Sequence, residues 1–280
     1  MQSLLASRFS RSSIARQTHS AIPLTEDELH RLTPSVFAET AHESRSRRYA
    51  YIPTIEVLRG LASNGFKPFY AVQAKCRSEG KTPYTKHMLR LRHEDQIQQR
   101  GEDVNEVILI NSHDGTSSYQ MLAGVFRFVC ANGMVCGTTS ADIRVKHGGN
   151  AVHDVVEGAV TVLDGFQEVD ASKDAFKSLQ LTSGEQSAFA NAAIALRFGT
   201  EREPPVQATE VIQARRYEDR SDSLWATFQR AQENLVQGGL RTNNQQRRTR
   251  TRGVNGIDGN VALNRGLWVL AEEMRRMKTA

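Results

Sequence analysis

The chain has 280 residues, enough for one large domain or two small ones, and its apolar fraction of 39% is adequate for a hydrophobic core. A formal charge of +5 is modest, no apolar run approaches the length of a membrane span, and three cysteines cannot all pair. These features exclude a membrane-embedded helix bundle and a disulfide-stapled secreted domain, and point to a reducing interior.

Positive charge is concentrated in two places. Ser44 to His93 holds eleven Lys/Arg against two acids, Glu56 and Glu79, and Leu240 to Arg252 holds five Arg and no acid. Either stretch could touch an acidic polymer, although a charge run is also what a solvated face looks like.

In chain order, residues 1–40 read as a basic, partly disordered arm followed by a short helix. The arm carries Arg8, Arg11 and Arg16, many serines and no acid before Glu26. That composition also fits a mitochondrial transit peptide. Thr25 is placed to cap the short helix, whose first turn is acidic. Pro53 to Leu61 spaces its apolar residues at three and four and stops at Asn64-Gly65, which predicts a second helix with its apolar face on a sheet.

That sheet is predicted directly afterwards. Phe69 to Arg77, Tyr84 to His93, Val104 to Ser112 and Ser118 to Val129 are alternating or apolar runs separated by turn formers, the pattern of an antiparallel meander. Asn132-Gly133 between apolar arms predicts a hairpin turn, and Ala141 to His147 a further strand.

Beyond Asn150 the period changes to about 3.6. Val152, Val155, Val156, Ala159, Val160 and Leu163 form one stripe, and Thr182 to Glu185 is a capping sequence ahead of the helix Gln186 to Phe198. Ala208 to Tyr217, the amphipathic Leu224 to Val236 and Val261 to Met277 complete the helices. The fold class is α+β: an antiparallel meander with one helix packed on it, then a mostly helical half. The expected domains are an α+β core over 41–200 and a helical region over 206–280 with an Arg-rich loop at 240–260.

Three constellations could carry chemistry. In INSHDGTSS, residues 110 to 118, His113 and Asp114 sit among hydroxyls, but adjacent residues on a strand point to opposite sides, so a tight turn through Asp114-Gly115 explains the stretch better than a nucleophilic triad. His113, Asp114, His153 and Glu157 are weak metal candidates; His147 lies nearby, and no recognised ligand spacing is present. No cofactor motif appears, and Cys130 and Cys136 lie off register for a shared site.

The third constellation is basic. If strand alternation holds, Tyr84, Lys86, Met88, Arg90 and Arg92 share one side, and Phe69, Gln73, Lys75 and Arg77 share one side of the neighbouring strand. Cations interleaved with aromatics on a sheet face suit a nucleic-acid backbone and its bases. A solvated edge pair with gatekeeper charges is the competing account.

The segments SRSRRYAYIPTIEVL (44–58), KHMLRLRH (86–93), EVILINSHDGTSSYQMLAGVFRFVCANGMV (106–135), ARRYEDRSDSLWATFQRAQENLVQGG (214–239) and LNRGLWVLA (263–271) carry a resemblance. They resemble the phage/plasmid-like protein family, a domain of unknown function borne by plasmids, prophages and integrated elements of bacteria. The resemblance implies a mobile-element protein of the bacterial cytoplasm. Strands followed by helices with a basic sheet face is similar in plan to the Rad52-like single-strand annealing proteins, which assemble into rings or filaments; that is an analogy between folds.

The leading expectation is therefore a non-catalytic protein that coats single-stranded DNA and promotes recombination or annealing, as a homo-oligomer if the analogy extends that far. Lys75, Arg77, Lys86, Arg90 and Arg92 would contact phosphates, with Arg247, Arg248, Arg250 and Arg252 as a second, flexible clamp. Two alternatives stand beside it. One is a metal-dependent nuclease using His113, Asp114 and His153; the other is an accessory protein that grips host factors through Trp225 and Trp268.

Overall fold

In the computed structural model the described residues are 15–17, 22–40, 42–43, 51–76, 79–97, 102–128, 132–137, 142–145, 150–243 and 249–279. Arg77, Cys130, His147, Arg247 and Arg248 lie outside them.

The strands are β1 (Ala15–Gln17), β2 (Phe66–Gln73), β3 (His87–His93), β4 (Asp103–Asn111), β5 (Tyr119–Arg127), β6 (Asn132–Val135) and β7 (Ile143–Val145). Among the described residues they form one seven-stranded sheet in the order β1-β2-β3-β4-β5-β6, with β7 also on β5. The pairings resolved residue by residue are all antiparallel. The meander predicted from alternation is present, and β1 adds an edge strand from within the stretch expected to be a loose arm.

The helices are α1 (Glu26–Leu32), α2 (Thr54–Ser63), α3 (Glu94–Ile97), α4 (Ala151–Asp164), α5 (Phe166–Ser178), α6 (Ser183–Phe198), α7 (Ala208–Val211), α8 (Leu224–Gln237) and α9 (Ile257–Thr279). Thr25 and Thr182 each close a capping box with the glutamate three residues on, as expected. Gly65 ends the α2 turn at φ +82°.

The chain divides into two compact units, Met1–Met134 with Thr139–Phe166, and Val135–Thr138 with Gln167–Ala280. In this division α5 and α6 group with the C-terminal helices.

In the first unit one sheet face lies under two helices, α2 and α4, where a single helix was expected. Gly158 of α4 sits so close to β5 that a Cβ there would stand 2.4 Å from Met121 Cε, and a Cβ on Gly60 of α2 would stand 2.9 Å from Val152 of α4. Val57, Leu58 and Leu61 from α2 and Val155, Ala159 and Val162 from α4 are buried with Ala71, Leu89, Leu109 and Met121 of the sheet.

One local expectation fails. Asn132-Gly133 belongs to β6 and is not a two-residue turn. A Cβ on Gly133 would stand 2.3 Å from Arg90 Cζ, so the glycine admits a buried guanidinium.

In the second unit α6, α8 and α9 pack against one another. Helix α8 is buried on nearly all sides, although its sequence alternates like a half-exposed helix. Its polar residues have partners: Arg230 donates to Gln186 Oε1 at 2.9 Å, Gln232 to Asn264 Oδ1 at 2.8 Å, and Asn234 to the Val211 carbonyl at 2.7 Å. Trp225 and Trp268 are buried with Phe228 and Phe176, so neither is an exposed anchor.

Candidate nucleic-acid interface

On β3, Met88, Arg90 and Arg92 share a face as alternation predicts, but the face is interior: Arg90 is 1% exposed and Arg92 3%. Both arginines converge on Glu106 of β4, with Arg90 Nη1 at 3.2 Å from Oε2 and Arg92 Nε at 3.0 Å from Oε1. Aromatic rings complete the surroundings. The Arg92 guanidinium carbon lies 4.2 Å from the Phe69 ring centre and 5.2 and 5.4 Å from those of Phe126 and Phe128. An irregularity in the β2–β3 register between Pro68 and Tyr70 leaves Phe69 without a partner, and both neighbouring rings meet the arginines, Phe69 facing Arg92 and Tyr70 facing Arg90.

The expected phosphate contacts at Arg90 and Arg92 are therefore corrected. Both are held inside the sheet by one buried carboxylate, and reaching a phosphate would mean dismantling the sheet. Alternation reveals which residues share a face and is silent on whether that face meets water. Lys75, just after β2, is exposed, and Lys86, just before β3, is half-buried.

The described residues of the second basic cluster, 240–243 and 249–252, pair with one another. Gly239, Leu240 and Thr242 exchange backbone hydrogen bonds with Thr249 and Thr251, making an antiparallel hairpin in which Arg241 and Arg250 are direct cross-strand partners. Arg241, Arg250 and Arg252 are exposed. Gly238, at φ +68°, lets the hairpin leave α8: a Cβ there would stand 2.6 Å from the Arg252 carbonyl carbon.

The hydroxyl-rich stretch 110–118 resolves into a turn plus one inward side chain. Asp114 Oδ1 accepts from the Thr116 amide at 3.0 Å and the Thr116 hydroxyl at 2.6 Å, Ser112 Oγ accepts from the Ser117 amide at 2.8 Å, and Gly115 takes φ +79°. Partial burial works against the Asp114 carboxylate, yet the Thr116 and Ser112 hydrogen bonds hold its pKa below the usual value.

His113 points inward to a buried polar cluster. Thr54 Oγ1 lies 3.0 Å from His87 Nε2, 3.1 Å from His113 Nε2 and 3.0 Å from Asn111 Nδ2. His87 Nδ1 faces the Thr85 carbonyl at 3.3 Å and Ser35 Oγ at 2.9 Å, while Ser35 donates to Gln73 Oε1. A carbonyl only accepts, so the His87 proton sits on Nδ1. Its Nε2 then accepts the Thr54 hydroxyl proton, and Thr54 in turn accepts from Asn111 and from His113 Nε2–H. Thr54, His87 and His113 are each fully buried, and burial together with the neighbouring His113 lowers the His87 pKa to about 3. The cluster leaves Thr54 no spare proton or lone pair; it fixes the start of α2 to β3 and β4. No spacing rule in the sequence links Ser35, Thr54, His87, Asn111 and His113.

The family model described as "Domain of unknown function (DUF932)" matches residues 41–268. The chain belongs to the DUF932 family. Similar proteins include UPF0380 protein YafZ and UPF0380 protein YfjQ, both of Escherichia coli (strain K12). Each is 51% identical over 271 residues, covering 96% of this chain and 97% of the relative. No solved structure matches.

The remaining candidates of this DUF932 chain stand apart. His153 and Glu157 do share a face of α4, at 4.0 Å, but both are largely exposed, while His113 is interior and Asp114 caps its own turn. Among the described residues no group of three His, Cys, Asp or Glu is placed to hold a metal ion, and no helix is long and apolar enough to cross a membrane.

Proposed function

We propose that the chain is a non-catalytic nucleic-acid-binding protein of a plasmid or prophage, coating single-stranded DNA during recombination or annealing of its element. The observation that carries the reading is the opposition of Arg241 and Arg250 across the hairpin. Like charges directly opposite one another on paired strands are destabilising, and the segment from Leu240 to Arg252 contains no acid to offset them. A polyanion laid along the hairpin supplies the missing negative charge and releases its counterions.

The reading is tested by mixing the purified full chain with labelled single- and double-stranded DNA, with and without magnesium or manganese. Metal-independent binding with the substrate intact is the expected result. Metal-dependent cleavage supports the nuclease alternative, and no binding to either DNA supports the host-factor alternative.

A further inference from the structure

The sequence pattern predicts one helix from Ala208 to Tyr217, but α7 ends at Val211 and an irregular loop follows. That loop is stapled to the end of α8. Arg215 donates through Nη2 to the Gly238 carbonyl at 2.7 Å and through Nη1 to Gln237 Oε1 at 3.2 Å, and Arg216 donates to Glu233 Oε1 at 2.7 Å. Asn234 returns hydrogen bonds to the Val211 and Gln213 carbonyls, and Asp219 is buried.

Between these anchors Tyr217 stands 79% exposed, with the Arg220 guanidinium carbon 5.3 Å from its ring centre. The Arg220 amide donates to the Tyr217 carbonyl at 3.2 Å, closing the turn that presents the ring. Within the basic hairpin Arg250 Nη1 donates to the Gly239 carbonyl at 2.9 Å, one residue on from the carbonyl that holds Arg215. Loop and hairpin thus meet on consecutive carbonyls, Gly238 and Gly239.

We propose that Tyr217 is a base-stacking platform at the root of the hairpin, so that this surface takes single-stranded nucleic acid: phosphates along Arg241, Arg250 and Arg252, and an unpaired base on the Tyr217 ring. The inference rests on the nucleic-acid reading above and adds the strand class. The exposed ring projects from a loop anchored at Arg215 and Arg216, and every base offers it a π-face. A duplex keeps its base faces stacked, so it can engage the arginines and not the ring.

The test uses the full chain with a labelled oligothymidylate and a labelled duplex of equal length, titrated at several salt concentrations. Tyr217→Ala is expected to weaken oligothymidylate binding about tenfold, leave duplex binding unchanged and leave the salt slope unchanged, with Tyr217→Phe close to wild type. Oligothymidylate affinity unaffected by Tyr217→Ala, or an equal loss on both DNAs, overturns the platform while the hairpin reading stands. Wild-type protein that binds neither DNA overturns both.

Discussion

Arg92 Nε stands 3.0 Å from Glu106 Oε1, both side chains are closed off from solvent, and the second carboxylate oxygen holds Arg90. One acid therefore organises two cations under a layer of aromatic rings. Glu106→Gln leaves both guanidinium groups buried without this counter-charge, so it should cost on the order of 3–5 kcal/mol in urea denaturation. A loss below about 1 kcal/mol would show that the pair is exposed or dispensable.

The meander itself was legible, because residues at even spacing across β2 to β5 repeat the polar and apolar periods that strands demand. The side of the arginines was not. Two signals pointed inward: Val107 to Ile110 is apolar at consecutive positions, as expected of a strand covered on both faces, and Glu106 lies one strand away from the cations. Asn132-Gly133 misled for a different reason. The same dipeptide that favours a turn also clears space, and here space beside Arg90 decided the outcome. Gly133→Ala should accordingly destabilise the protein by about 1–3 kcal/mol, as overpacking does. A melting temperature equal to wild type would refute that role.

The buried histidine gives a pH signature. His87 stays neutral in the folded chain down to about pH 3, whereas the unfolded chain takes up that proton near pH 6.5. Between those values the unfolded state binds more protons, so this contribution is complete above pH 6.5 and falls by about 1.4 kcal/mol per pH unit as the pH is lowered through the window. Denaturation midpoints of wild type and His87→Gln, compared from pH 7 to pH 4, should show this extra slope in the wild type only. Parallel curves would mean that His87 is protonated in the fold.

The turn at Asp114 and the cluster beneath it separate by substitution. Gly115→Val forces a β-branched residue to φ +79°, at a cost of about 1–3 kcal/mol. His113→Ala strands the Thr54 hydrogen bond in the interior, at a cost of about 1–3 kcal/mol. Chemical denaturation of both variants checks this, and a fully stable His113→Ala would place the imidazole outside the structural core.

The hairpin was legible as charge and illegible as structure. Five arginines without an acid were plain from Leu240 to Arg252, but nothing local showed that Arg241 would face Arg250 across a bridge. The loop that carries Tyr217 was hidden by a helical apolar spacing that stops after α7. Both features depend on contacts to the end of α8, which are made only in the folded chain.

The most direct measurement is the salt dependence of single-stranded DNA affinity for wild type and for the combined Arg241→Gln, Arg250→Gln, Arg252→Gln variant, with circular dichroism confirming that the variant is folded. Each neutralised phosphate on single strands adds about 0.7 to the slope of log affinity against log salt, so losing three contacts should flatten the slope by about 2 and weaken binding. A folded variant that binds with wild-type affinity and an unchanged slope would contradict the hairpin as the site of nucleic-acid contact.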